Sequence, residues 1–564
     1  MNVRDSRYQP RRPQRQLRRL APALGAALIL LAVAVPFGGG FFNGPASSPS
    51  AGLVAGSDRP TSATPAAGTP APASPAAPTP TPTVTPVPTP ATATVPVVPV
   101  THFRTRLTAA GWSDVQALVS GAKGRFAALV VVERDADAIL ATLRTDRSAM
   151  GARLETVPDA DALAADLAAT RDRLGFLRPE EVGPSVRALA WGADAMFGVD
   201  RVANAAAWPL QATVPAGTVA VDRAYDPAAA WTMVAGGDVL LDRGVSLAIQ
   251  DSSTGPDFPF NGGTVEITGR CKDCSAFGWD LPYTKRTGNA GAVKDLISGA
   301  DLAIANFENP APDVFRFHGK GTVFTANPAY IAGLVNAGID WVSLANNHIG
   351  DAGRKGILET MDNLDDAGLR HGGTGRNAVE ARTPSILETG EIRVAMLAYD
   401  AIAGVYHAGP DRTGSAGLST RAVVEDVAKA KQLGADVIIL FPHWGVEYRA
   451  TPSKGQRDIA HAALDAGADM VIGNHAHWAG AIESYKGKPI WYALGNFVFD
   501  QTWSEPTMEG VLLELTFDGD RLVQARMRPH LILDRAQPNF LDPAGDGQVV
   551  TDQMFKGSKG LLDW

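Results

Sequence analysis

DMVIGNHAHW, Asp469 to Trp478, is the stretch on which the reading of this chain turns. Met470 to Ile472 is a short apolar run of the kind that forms a strand buried on both faces. Gly473 frees the backbone to bend, and two histidines follow with one residue between them. Alternate residues of extended backbone point the same way, so His475 and His477 can face one site. Just upstream lies an amphipathic helix, QRDIAHAALDAG (Gln456 to Gly467), which ends in the glycine common at helix C-termini. Before that helix, the strand DVIILFP runs into PHWGVEY (Pro442 to Tyr448), which carries His443 and Glu447.

The same alternation extends back to Trp231. Strands WTMVAGG, DLAIANF, WVSLAN, IRVAMLAY, DVIILFP, DMVIGN and PIWYALG are separated by helical stretches such as AVKDLISG, RKGILETMDNLDDAG and RAVVEDVAKAKQLG. Apolar strands joined by helices predict an α/β domain over residues 230–533 whose sheet is buried on both sides. A hairpin, VLLELTF and RLVQARMRPHLIL around Asp518-Gly519-Asp520, closes it. Residues 534–564 are turn-rich and expected to be peripheral.

Six motifs stand at strand ends: GGDVLLDR (Gly236 to Arg243), ANFEN (Ala305 to Asn309), LANNHIGD (Leu344 to Asp351), PHWGVEY, GNHAHW (Gly473 to Trp478) and LGNFVFD (Leu494 to Asp500). Ligands of α/β proteins bind outside the carboxyl ends of the strands, so one cluster of strand ends predicts one site. Each residue has an ordinary reading too. Asp238 can cap the next helix, Asn347 suits a turn, Glu308 can be a solvated acid, and His443 can be a packed histidine beside Trp444. The arrangement argues otherwise, because five strand ends supply Asp, Glu, Asn-His, His and His-x-His. This mixture of oxygen and imidazole donors suits a divalent transition metal such as Mn, Zn or Fe.

On these six motifs, the span from about Trp231 to Leu533 resembles the bacterial capsule synthesis protein CapA family, associated with poly-γ-glutamate production. That family in turn resembles calcineurin-like metallophosphoesterases, which implies a four-layer αββα sandwich. The resemblance implies that Asp238, Glu308, Asn347, His443, His475 and His477 line a site for one or two metal ions. It implies that His348 is the acid or anion-stabilising group, that Arg243 and Glu447 stand in or beside the site, and that Asn496 is a further matched position. The chain also departs from the metallophosphoesterase pattern. Leu240 stands where a histidine is usual, Glu308 where a bridging Asp is usual, and Ile349 where an acid follows Asn-His.

The chain has 564 residues, enough for at least two folded units. Residues 1–19 form a basic N-terminus. Residues 1–20 carry seven arginines and one aspartate, a charge of +6 that leaves −14 for the remainder of a chain whose formal net charge is −8. That balance argues against nucleic acid as a partner. The apolar, uncharged run of residues 20–42 reads as a single-pass membrane anchor with a cytoplasmic N-terminus, the alternative being a cleaved signal peptide. Either would put the remainder outside the cytoplasm. Residues 43–100, rich in Pro, Thr and Ala, read as an extended linker. Residues 101–225 read as a small α/β unit, with a strand in RFAALVVVE, a helix over ADALAADLAATRDRLG (160–175) and a strand in VRALAWG. No chemistry is legible in it. Cys271 and Cys274, the only cysteines, are expected to form a local disulfide within an insertion over 250–290 that shapes the entrance to the site.

These expectations combine into a membrane-anchored, metal-dependent hydrolase or transferase. Its substrate would be an anionic envelope polymer or precursor, handled alongside partners in a polymer-synthesis complex. The alternatives are a non-catalytic envelope scaffold that binds metal or polymer through the same residues, and a binding module built on residues 101–225.

Overall fold

Period-two alternation sorts the strand residues into separate apolar layers. In the strand Leu302–Phe307, Leu302 and Ile304 join one core cluster while Ala303, Ala305 and Phe307 join another. In Val437–His443, Val437, Ile439 and Phe441 join that same first cluster, and Ile438 and Leu440 a third. The shared cluster fills the space between two sheets packed face to face. The second lies under the helices Arg243–Asp251, Ala292–Gly299, Ile331–Ala337 and Gly353–Ala367, and the third under Thr420–Gln432 and Lys454–Ala466. The expected αββα order is the one observed.

The computed structural model describes residues 91–219 and 223–564. The anchor read at 20–42 and nearly all of the linker lie outside the described residues. Among the described residues no helix is long and apolar enough to cross a membrane.

The larger sheet has ten strands, and toward one edge of it Trp231–Val239, Leu302–Phe307 and Trp341–Ser343 run parallel. The second has six, with Ile392–Asp400, Val437–His443 and Met470–Ile472 parallel at its centre. Parallel neighbours bring their carboxyl ends to one edge of each sheet, and this is where the six motifs fall. The expected hairpin is Glu509–Asp518 paired antiparallel with Arg521–Leu533.

Three sequence boundaries need correction. The linker does not reach residue 100: Thr92–Pro96 pairs with Gln211–Pro215, and Val98–His102 is an interior strand of the small unit's five-stranded sheet. The Pro/Thr composition hid an apolar set, Val97, Val98 and Val100, each fully buried. The helix read over 160–175 is Ala160–Ala169, and Arg173–Leu177 is already a strand. Finally, the C-terminal segment is not peripheral. Gln537–Phe540 joins the larger sheet, and the helix Gln548–Gly557 buries Val550 and Met554 in the inter-sheet core beside Leu562 and Trp564. Its few apolar residues are widely spaced, which conceals burial achieved only in three dimensions.

The small unit shares its packing with the larger one. Val523 joins the small unit's core, Phe103 stacks edge-on against Trp564 at 5.3 Å, and Gln524 Oε1 accepts from the Ala188 amide at 2.9 Å. All described residues belong to one compact unit.

Candidate metal centre

The two sheets divide the ligands by type. Asp238, Glu308 and Asn347 lie at or just beyond the carboxyl ends of parallel strands of the larger sheet, while His443, His475 and His477 do so in the smaller. They meet where the two carboxyl edges face each other. Asp238, Glu308, His443, His475 and His477 are each at most 4% exposed. Asn347 and His348 are half-buried.

Local backbone makes this convergence feasible. His475 and His477 both have positive φ (90° and 55°), a costly conformation for residues with a side chain. Arg243 (50°) and Tyr448 (61°), at the same rim, share it. Gly473 is needed for a different reason from the bend expected of it: a Cβ there would collide with the Tyr492 carbonyl and the Trp444 indole. At Gly237 a Cβ would strike the Gly495 carbonyl, so the strand carrying Asp238 approaches its neighbour as only glycine permits.

Two overlapping groups of donor atoms result, Glu308 with His443 and His475, and Asp238 with Glu308 and His477. Glu308 is common to both. Its Oε1 is buried without a hydrogen-bond partner, and it lies 3.6 Å from His443 Nε2 and 3.8 Å from His477 Nε2. His443 Nε2 also faces Asn347 Oδ1 at 2.7 Å and His475 Nδ1 at 3.0 Å. One imidazole proton cannot satisfy so many lone pairs at once. Burial and then the Asp238 charge push the Glu308 carboxyl well above its ordinary range. Burial and then the His475 charge hold His443 well below the usual imidazole value, and burial followed by His477 takes His475 down to about 4. Neutral imidazoles around an orphaned carboxylate oxygen are a donor set that fits a cation.

The surrounding shell orients these donors. His477 Nδ1 lies 2.9 Å from Asn496 Oδ1, and the Asn496 amide donates to the Thr507 carbonyl (2.8 Å), which fixes which way that amide points. His477 therefore donates from Nδ1 and leaves Nε2 free toward Glu308. Asn306, within ANFEN but assigned no role from sequence, donates to Asp238 Oδ1 at 2.8 Å and lies 3.2 Å from His443 Nδ1. The His475 amide donates to Asp238 Oδ2 at 3.3 Å.

His348 faces this centre from the loop after Trp341–Ser343. Its Nδ1 is 2.9 Å from Asp351 Oδ2, and Phe324 packs against its ring at 4.2 Å. The acid absent at Ile349 is thus supplied two residues later, a substitution the LANNHIGD motif contained but spacing alone did not reveal. Arg243 is committed to other partners: it pairs with Asp500, donates to the Gly321 carbonyl (2.9 Å) and lies over the Phe324 ring at 4.8 Å. It acts on the centre through its field, which pulls Glu308 downward against the larger effect of burial. Glu447 is exposed, and its charge adds to the upward push on Glu308.

The expected insertion is the hairpin Thr264–Cys271 with Leu281–Gly288 on the edge of the larger sheet, its tip closed by the Cys271–Cys274 disulfide. Phe277 and Trp279 at that tip pack edge-on against Trp503 and Trp478 at 5.5 and 6.1 Å. Tyr448 bridges from Trp503 (5.0 Å) to His477 (6.0 Å). The hairpin therefore adds to an aromatic wall beside this donor cluster.

Residues 232–501 match the family model described as bacterial capsule synthesis protein PGA_cap. The chain is 31% identical over 279 residues to the capsule biosynthesis protein CapA of Bacillus anthracis, covering 48% of this chain and 67% of that one. It is 30% identical over 226 residues to the PGA biosynthesis protein CapA of Bacillus subtilis, covering 39% of this chain and 59% of that one. The calcineurin-like phosphoesterase YfkN of Bacillus subtilis overlaps 59% of this chain and 97% of its own at 13% identity and a TM-score of 0.32, too loose a likeness to bear on activity. With its six strand-end motifs gathered into one buried centre, this chain belongs to the bacterial capsule synthesis protein family.

Proposed function

We propose that this protein is a metal-dependent hydrolase or transferase of the metallophosphoesterase type, acting outside the cytoplasm on an acidic envelope polymer or its precursor. The observation that carries the reading is the sharing of Glu308, with its orphaned Oε1, between two ligand groups. Asp238, Glu308 and His477 would hold one divalent transition ion, and Glu308, His443 and His475 a second, despite Leu240. When bound, such ions supply Lewis acidity toward the oxygen of the group under attack. Asn347 Oδ1, beside His443, lies where it can join the second set.

His348 holds a proton on Nδ1 against Asp351, so its Nε2 can deliver or accept one at a leaving group. Asp351 also accepts from the Phe324 amide at 2.8 Å, which keeps its carboxylate in place behind the ring. The aromatic ring of Tyr448, with Trp478 and Trp503 packed on it, stands against His477 on one side of the centre. A scaffold that merely bound an ion would have no use for an oriented His348–Asp351 pair, and this favours catalysis.

The test is metal content of the full-length protein by mass spectrometry beside His475→Ala. Two ions per chain in the parent, reduced in the variant, support the reading. No bound metal after supplementation with Mn and Zn would overturn it.

A further inference from the structure

The small unit, silent in sequence, contributes half of a cleft of about 240 Å³ against the hairpin strand Arg521–Leu533. Four arginines line it, Arg106, Arg187, Arg526 and Arg528, against one carboxylate, Asp200. Three of them have partners. Arg106 pairs with Asp552, Arg526 with Asp200 at 3.1 Å, and Arg528 with the fully buried Glu514 at 2.7 Å. Glu514 is spent on that pair, on the Val199 amide at 2.9 Å and on Arg526 at 3.9 Å.

Arg187 is the exception. It is 9% exposed, its Nε is buried without a hydrogen-bond partner, and no carboxylate or carbonyl among the described residues accepts from its guanidinium. Its guanidinium lies over the Phe103 ring, 5.6 Å from the centroid. Burial, reinforced by Arg526 and Arg528 and opposed only through space by Glu514, pushes it down to about 9. A neighbouring cleft shares Thr105, Arg106 and Leu107 and adds Arg104, Arg125 and Arg171. There His102 is held down to about 4, by burial first and then by the charges of Arg171, Arg104 and Arg187. A guanidinium taken largely out of water, with its Nε buried and unused, is costly unless an anion in the cleft completes it. Its planar fork matches the paired oxygens of a carboxylate or phosphate.

We propose that the cleft between the two units is an oxyanion-binding site, separate from the metal centre, in which Arg187 receives a carboxylate or phosphate group. The small unit is then the part of this protein that holds an anionic ligand, and it does so only when docked on the larger domain, since Arg187 and Arg528 come from different units.

The test is calorimetric titration of the full-length chain with glutarate and, separately, inorganic phosphate, each against chloride at matched ionic strength. Binding of either at one site per chain, weakened about tenfold or more in Arg187→Met, supports the proposal, and the better ligand identifies the source of the anion. Arg187→Lys, which keeps the charge but loses the fork, should bind at intermediate strength and serves if the methionine variant does not fold. Metal content should be the same in all three proteins. Absence of binding beyond the chloride control, or equal binding by parent and both variants, would overturn it.

Discussion

Replacing Glu308 with glutamine tests the shared-ligand geometry most directly, because it removes a charge while keeping the shape. In the parent protein, metal at a hundred times its dissociation constant stabilises the fold by about 2.7 kcal/mol. Glu308 belongs to both donor groups, so its loss weakens each. A hundredfold weaker affinity, the upper end of what even an outer-shell substitution costs, leaves only about 0.4 kcal/mol at the same metal concentration. The metal-free protein should behave in the opposite way. Burial and the Asp238 charge raise the Glu308 carboxyl, so it contributes stability at low pH and loses it as pH rises through its folded value. In chelator, Glu308→Gln should therefore be at least as stable as the parent, with an advantage that grows with pH. Urea unfolding with and without Mn or Zn at two pH values measures both effects. A variant that keeps the parent's full metal-dependent gain would refute the shared-ligand geometry.

His348→Gln should lower kcat on a phosphoester or γ-glutamyl substrate by about a hundredfold or more while leaving metal content unchanged, and Asp351→Asn should lower it in the same direction. Full activity in the first variant would remove His348 from proton transfer. Glu509, buried beside Glu505, is pushed up to about 8 by burial first and Glu505 second, so the fold loses stability as pH climbs toward and past that value. Glu509→Gln should gain on the parent by about 2–3 kcal/mol between pH 6 and pH 9 in urea titrations, and a constant difference would contradict this. Met554→Ala, in the C-terminal helix, should cost about 2–5 kcal/mol because the side chain is fully buried in the inter-sheet core. A peripheral segment would show almost no change.

The stretches legible from sequence are those in which a local period reports burial. Val437–His443 and Leu302–Phe307 are apolar on both faces, the helices between them are amphipathic, and the glycines and histidines at their ends mark where each strand stops. That information located Asp238, Glu308, Asn347, His348, His443, His475 and His477. The pattern failed where burial was carried by few residues. Val97, Val98 and Val100 lay inside a proline-rich run, and Val550 and Met554 lay in a turn-rich tail. Proline and turn composition describe how a backbone bends, and they are silent on what lies across from it.

The order of strand-end donors was thus determined by the sequence alone, together with the α/β alternation that brings strand ends to a common edge. Tertiary structure decided which donors meet. Glu308 became the residue common to both donor groups, Asp351 replaced the acid missing at position 349, Asn306 and Asn496 oriented the donors, and Arg187 was left without a hydrogen-bonded counter-charge. Periodicity records which face a side chain presents, a property of its own few neighbours. Partnership depends on the separation of two sheets and two units, which the packing of the whole core sets across hundreds of residues.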